Sequence, residues 1–331
     1  MKIAFVGLRH AHIFRLAEVA RATPGVEIAG VWEENEQAKQ ENREKFSEPF
    51  YESFEALLAD PQVDAVAIGD YYGIRGERAI HVLKAGKHVI ADKPVCTRIA
   101  ELDEIEKLCR EKNLKVGCML DLRYDPALRL AGRMIREGVL GEILSANVTG
   151  QHCLDFCRRA KWYFEEGKHG GTFNDIAIHG IDALRVFTGM EYKRTLCARQ
   201  WNAFAKDIPD FLDSAQMMGM KENGAGVTMD VSYSTPSPSA YSLPGYWRFS
   251  FFGEKGWLEC RFRGGEVLTA KEGDERARAI AAPPVTENYL DDFIRDVNGE
   301  KPEFDTQSVL DSARATLNLQ VDADRMSRGG E

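Results

Sequence analysis

The chain has 331 residues, enough for two medium domains, and its 44 % hydrophobic and 29 % charged side chains are the balance of a globular protein, not of a disordered or fibrous one. Its formal net charge of −9 argues against a nucleic-acid partner, which needs a basic face. No apolar run reaches the roughly 18 residues that would span a membrane, and seven scattered cysteines, an odd number, fit the reduced thiols of a cytoplasmic protein.

Lys2–Val6 is a short apolar run ending at Gly7 and reads as a buried strand. A glycine turn and a polar helix follow at once, so the opening is not expected to be a signal peptide. His12–Ala22 reads as a helix with Ile13, Leu16, Ala17 and Ala20 on one face, stopped by Pro24-Gly25. Residues 26–32 form a second strand with Glu33 at its end. Strand, tight turn, helix, strand, acid is the order of a dinucleotide-binding βαβ unit.

The turn departs from the usual G-x-G-x-x-G. It reads Gly7-Leu8-Arg9-His10-Ala11-His12, with only the first glycine present. Arg9, His10 and His12 crowd a helix N-terminus, the wrong end of the macrodipole for positive charge unless an anion binds there. Gly7, Arg9, His10 and His12 are therefore candidate cofactor contacts. The alternative is a merely solvated turn. Glu33 lies somewhat beyond the usual spacing of roughly 20 residues for the acid that accepts a ribose 2′-hydroxyl and repels a 2′-phosphate, which favours NAD over NADP. It could equally be one surface glutamate in an acidic run.

The alternation continues with helices over 54–59, 76–85 and 99–112 and strands over 63–69, 86–91 and 114–119. This predicts a doubly wound parallel sheet. Ligands in such sheets lie beyond the strand C-termini. Asp70, Tyr71, Asp92, Lys93 and Asp121 fall there. Lys93 precedes Pro94, which would fix its direction, and a lysine at that edge can donate to a substrate oxygen.

A helix over 127–137 leads into a second half of strand-like segments over 143–150, 195–201, 211–220, 225–234, 246–252 and 256–262. Few helices separate them, so a largely antiparallel sheet follows. Asn223-Gly224 marks a hairpin. The proline-rich loop over 234–241 is either a flap or a surface loop. Helices return over 289–297 and 308–325, and the last four residues are expected to fray. The domains divide as 1–122 and 123–331.

Within the second half, Gly170-Gly171 precedes a segment of helical periodicity stopped by Gly189. On an α-helix Asp175 and His179 share a face. A carboxylate beside an imidazole prepares a general acid/base, or alternatively caps a helix. No third ligand accompanies this pair, and Cys153 and Cys157 beside His152 lack a second pair, so no metal site is expected.

Several of these stretches together resemble the Gfo/Idh/MocA family of NAD(P)-dependent oxidoreductases. They are the βαβ opening, Ala85-Gly86-Lys87-His88-Val89 leading to Asp92-Lys93-Pro94, Pro126-Ala127-Leu128, Gly138-Val139-Leu140-Gly141-Glu142-Ile143, Trp162 before Gly170, Gly170-Gly171-Thr172-Phe173-Asn174-Asp175 running to His179, and Tyr289-Leu290-Asp291-Asp292-Phe293-Ile294. The resemblance implies an N-terminal Rossmann domain and a C-terminal α+β domain whose open sheet often forms the oligomer interface, hence a homodimer or homotetramer. It implies hydride transfer between NAD and a hydroxyl carbon of a sugar, polyol or cyclitol. The family's motif lysine maps to Lys93, and its aspartate and histidine map to Asp175 and His179. Lys93 or His179 would be the base. Trp162 would contact the cofactor, with Tyr163 and Asn174 lining the substrate pocket beside Lys93 and His179. Departures are Asp92 for glutamate, His169 for a glycine, Tyr163 for an arginine, and Asp70-Tyr71-Tyr72 where T-P-N is usual. Two other readings remain open: an NAD-assisted glycosidase or epimerase-like enzyme with no net redox change, and a non-catalytic ligand sensor on the same fold.

Overall fold

The structure, a computed structural model, describes residues 1–235 and 246–328. The proline-rich loop beyond residue 235 and the final three residues lie outside them. The chain divides into two compact units. The first comprises Met1–Met119, Ala160–Gly170 and Asn288–Arg314; the second comprises Leu120–Arg159, Gly171–Glu287 and Ala315–Glu331. The chain leaves the first unit after Met119 and re-enters it twice. The segment 160–170 returns because Trp162 Nε1 donates to the Arg9 carbonyl at 3.1 Å and Gly73 N donates to the Lys168 carbonyl at 2.9 Å.

The elements run in chain order as β1 (Lys2–Val6), α1 (His12–Ala22), β2 (Glu27–Trp32), α2 (Glu36–Asn42), α3 (Phe54–Ala59), β3 (Ala65–Ile68), α4 (Tyr72–Lys84), β4 (His88–Ala91), α5 (Ile99–Lys112) and β5 (Val116–Cys118). The five strands form one parallel sheet in the order β2-β1-β3-β4-β5. Ile3, Phe5, Val66, Ile68, Val89 and Ile90 are fully buried. Helices cover both faces of such a sheet, so its strands read as continuous apolar runs and each such side chain contributes roughly 1.5–3 kcal/mol. The order reverses between β1 and β3, the switch point where ligands bind in doubly wound sheets.

Two elements escape the periodicity. Helix α2 is polar apart from buried Ala38 and is held by its cap, Asn35 Oδ1 accepting from Ala38 N at 2.8 Å. Helix α4 begins four residues before the expected start. It passes through Gly73, where a Cβ would meet the Gly167 carbonyl oxygen at 2.0 Å, so glycine here serves close approach and not a turn.

The second unit begins with α6 (Pro126–Arg136), whose N-cap Asp125 accepts from Ala127 N and Leu128 N at 3.0 and 3.1 Å. There follow β6 (Ile143–Gln151), a π-helical turn over Phe173–Ala177, α7 (Ile178–Thr188), β7 (Tyr192–Trp201), β8 (Ser214–Lys221), β9 (Gly226–Ser232), β10 (Trp247–Gly253), β11 (Gly256–Arg261), β12 (Glu266–Lys271) and β13 (Arg278–Ala281). Among the described residues these strands make one sheet in the order β13-β12-β11-β10-β6-β9-β8-β7, antiparallel except for the β6–β9 pair. Strands β12 and β13 are additions to the expected set. β13 is exposed along its whole length, so nothing in its sequence alternates. β8 starts later than expected because Asp213 turns away to accept the backbone N–H groups of Ala203, Phe204 and Ala205. Gly224 takes φ +89° at the expected hairpin. Helix α8 (Tyr289–Val297) belongs to the first unit, and α9 (Thr306–Arg328) runs from the first into the second.

Inside the second unit Arg123 and Asp182 form a buried two-pronged ion pair, with Arg123 Nη2 at 2.6 Å from Oδ1 and Nε at 2.9 Å from Oδ2. Removing one partner of a buried pair leaves an uncompensated charge. Asp182→Asn is expected to cost about 3 kcal/mol in urea unfolding. A loss below about 1 kcal/mol, the range of surface pairs, would contradict this account of the pair.

Candidate active site

In the first unit the expected cofactor residues gather at the ends of β1, β2, β3 and β4. Gly7 takes φ +76°, and a Cβ there would meet Asp70 Cβ at 2.6 Å, so both backbone conformation and space demand glycine. The first turn of α1 has no side-chain cap and no acidic residue. Its N–H groups and the helix dipole thus present positive potential at the turn.

Glu33 is fully buried at its side chain and spends both oxygens on the protein's own backbone. One accepts from Leu8 N; the other accepts from Asn35 N at 2.7 Å. Burial raises its pKa against those two hydrogen bonds. The acid expected to take a ribose hydroxyl thus closes the glycine turn, and the neighbouring, exposed Glu34 holds Arg78 at 2.7 Å.

Arg9 occupies the place of the second glycine. Its Nε lies 2.8 Å from Asp70 Oδ1 and 3.6 Å from Glu33 Oε1, and its guanidinium sits over the Tyr71 ring at 4.6 Å. Nε and Nη2 nevertheless find no hydrogen-bond acceptor in line among the described residues, and Asp70 Oδ2 finds no donor. Burial raises the Asp70 pKa while Arg9 opposes it. These orphaned buried donors, with the uncapped first turn of α1, fit the diphosphate of a dinucleotide.

Arg75 is the hub of the group. Completely buried, it donates to the carbonyls of Asp70, Asp92 and Lys93 at 2.7, 2.9 and 2.6 Å and to Asp92 Oδ2 at 2.8 Å. The Lys93–Pro94 bond is cis. Burial pushes the Asp92 carboxyl up, but Arg75, His10 and His12 together outweigh it and hold the group well below the usual carboxylate range. His10 is also lowered, to about 3, chiefly by burial, against the pull of Asp92. Its neutral ring sits among aromatics, with Nε2 at 3.2 Å from the Tyr72 hydroxyl and 3.4 Å from that of Tyr163. The two phenols are 2.5 Å apart. Trp162 packs edge-on against Tyr72 with centroids 5.0 Å apart, and Lys93 Nζ lies 5.7 Å from the Tyr72 centroid. Trp162, Tyr163, Asp70, Tyr71, Asp92 and Lys93 are thus brought into one neighbourhood within the first unit.

In the second unit Asn174 and Asp175 are buried on the π-helical turn, and His179 is the second residue of α7. The wider turn means that the α-helical spacing argument for Asp175 and His179 does not apply unchanged. The Asp175 carboxylate accepts a hydrogen bond from the Tyr233 hydroxyl at the end of β9. His179 packs edge-on to Trp247, with centroids 6.2 Å apart.

Sequence reasoning missed Arg75, Tyr72, Tyr233 and Trp247. Arg75 left a readable signal, since it stands on the same helical stripe as Tyr72, Ala79 and Val82, where an unpartnered charge would be out of place. Tyr233 left none, because its partner is far off in the chain.

Residues 1–119 match the family model described as an oxidoreductase family with an NAD-binding Rossmann fold, and residues 128–259 match the GFO/IDH/MocA C-terminal domain. The chain belongs to the Gfo/Idh/MocA family. Its N-terminal domain is that family's NAD-binding Rossmann domain. An uncharacterized oxidoreductase of Synechocystis is 29 % identical over 217 residues, covering 63 % of this chain and 57 % of that protein. The alignment therefore spans less than two thirds of that relative's length. Myo-inositol 2-dehydrogenase of Thermotoga maritima is 23 % identical over 320 residues, covering 91 % of this chain and 90 % of that one. The structure of levoglucosan dehydrogenase in complex with NADH and L-sorbose shares the fold with TM-score 0.81 at 20 % identity, over 99 % of this chain and 97 % of that one.

Arg75→Met is expected to free the 92–95 bend that its guanidinium holds. Hydrogen–deuterium exchange over 88–97 should speed up at least tenfold. Unchanged exchange would show that the bend is held by other contacts.

Proposed function

We propose that this protein is an NAD-dependent dehydrogenase acting on a hydroxyl carbon of a sugar, polyol or cyclitol. The observation that carries the reading is Lys93, almost wholly buried, at the C-terminal end of β4, on a bend fixed by Arg75, in the domain that binds NAD. The named relatives support the substrate class: they include levoglucosan, myo-inositol and scyllo-inositol dehydrogenases and a 1,5-anhydro-D-fructose reductase.

A bound nicotinamide supplies the hydride acceptor. The Arg9 donors and the first turn of α1 would hold the diphosphate, and the Trp162 and Tyr72 rings would shield the neighbourhood from water. Lys93 Nζ would donate to the substrate oxygen and stabilise the alkoxide left when the hydroxyl proton is removed, whose electron pair closes the carbonyl bond as the hydride passes to the nicotinamide. His179, on a helix entered through Asp175, is the second candidate to take the hydroxyl proton. The Tyr233 hydrogen bond holds the Asp175 carboxylate in one orientation.

No helix among the described residues is long and apolar enough to cross a membrane. A cytoplasmic location, a homodimer or homotetramer, and a small-molecule substrate complete the proposal.

Lys93→Ala and His179→Ala are each expected to lower turnover of the best polyol or sugar found by screening NADH formation by about two to four decades, the usual share of general acid/base catalysis. Near-normal rates in both variants would overturn the assignment.

A further inference from the structure

The glycine turn holds a second constellation that its place in a dinucleotide site does not explain. His10 and His12 both turn Nδ1 toward the carboxylate of Asp92, at the end of β4. His12 Nδ1 lies 3.0 Å from Oδ1 and His10 Nδ1 is in contact with Oδ2. These ligand atoms all lie within 4.8 Å of one another. Two ligands of one tetrahedral zinc ion, each bonded at about 2.0–2.1 Å, stand roughly 3.3 Å apart, so the His12–Asp92 separation is already close to that of atoms sharing an ion.

A second observation points the same way. His10 is 6 % exposed, yet its Nδ1 finds no hydrogen-bond partner in line among the described residues. The neighbouring carboxylate oxygen is near that nitrogen but off its axis. A buried imidazole nitrogen aimed past the carboxylate beside it costs desolvation without return, and a cation on that nitrogen's axis would satisfy it, the Asp92 oxygen now in contact with it moving back to the separation of two atoms that share an ion.

The surrounding shell is also built. Metal-bound histidines are normally oriented by a hydrogen bond at the other ring nitrogen, and ligating carboxylates are hydrogen-bonded in turn. His10 Nε2 meets the Tyr72 and Tyr163 hydroxyls, and Asp92 Oδ2 takes Arg75 Nη2, which leaves Oδ1 toward His12. Access is provided by His12, whose side chain is 43 % exposed. Arg75 and the dipole of α1 act against a cation here. The ion must therefore bind through ligand chemistry and not through net charge, which selects a borderline transition metal over magnesium or calcium.

We propose that His10, His12 and Asp92 form a site for one divalent transition cation of the zinc type, with its remaining position open past His12 to water or an anionic oxygen. The site needs no turnover to be tested, so its failure and that of the dehydrogenase reading are separate events.

The full chain is stripped with a chelator and titrated with zinc against a chromophoric competitor, and separately with cobalt followed by visible absorption. One zinc per chain is expected, with cobalt bands of a low-coordinate nitrogen–oxygen site. His12→Ala should weaken zinc binding at least tenfold. His12→Asn should do the same while keeping a polar side chain, and circular dichroism should match the wild type for at least one of the two. A Cys157→Ser/Cys197→Ser variant, which removes the two exposed thiols, should bind as the wild type does. No stoichiometric zinc binding, wild-type affinity in the folded His12 variants, or loss of binding in the cysteine variant would overturn the proposal.

Discussion

The nucleotide-binding unit depends on one buried guanidinium. Arg75 sits on the inward face of α4 and spends its donors on the carbonyls that end β3 and β4 and on Asp92. A buried cation is costly unless every proton is used and a charge opposes it. Here each of the three nitrogens donates and Asp92 opposes the charge, which ties α4, the end of β3 and the bend carrying Lys93 into one piece. The same pairing keeps Asp92 ionised in a fully buried place, and Asp92 in turn is what His10 and His12 face. Asp92, shorter than the family's usual glutamate, thus meets both histidines of the glycine turn and the arginine of α4 in one charged cluster.

Around that hub the glycine turn has been rebuilt. The missing second glycine would have let a diphosphate approach bare backbone. Here Arg9 brings a side chain to that place, and Glu33, Asp70 and Tyr71 hold it. Its donors are buried but not aligned with those carboxylates, a state that a bound anion would improve. Glu33 closes the turn through Leu8 N and Asn35 N, and next to it Glu34 pairs with Arg78.

What the sequence made legible follows from the range of the forces involved. Strands buried on both faces and helices with a regular apolar stripe announce themselves locally, and β1, α1, α5 and α8 lie where the periodicity puts them. The places of Gly7, Asp92 and Lys93 just beyond β1 and β4 were legible because the strand ends follow from the alternation itself. Elements held by a single cap or by edge pairing, α2 and β13, carry no such period. The π-helical turn at Asp175 could not be read, since the same residues satisfy an α-helical pattern. Juxtapositions across long stretches of chain were also hidden. Asp92 meets His12 from another strand, Tyr233 meets Asp175 from another sheet position, and Trp162 reaches Arg9 after a whole intervening unit's first strand.

The claim on which the account rests is that the rebuilt turn still grips the cofactor. The most direct measurement is a calorimetric titration of the purified chain with NAD and with NADP, after mass spectrometry has checked for nucleotide carried through purification. The account predicts a one-to-one complex with NAD, or NAD already bound. Binding of neither nucleotide, with none carried over, would contradict it.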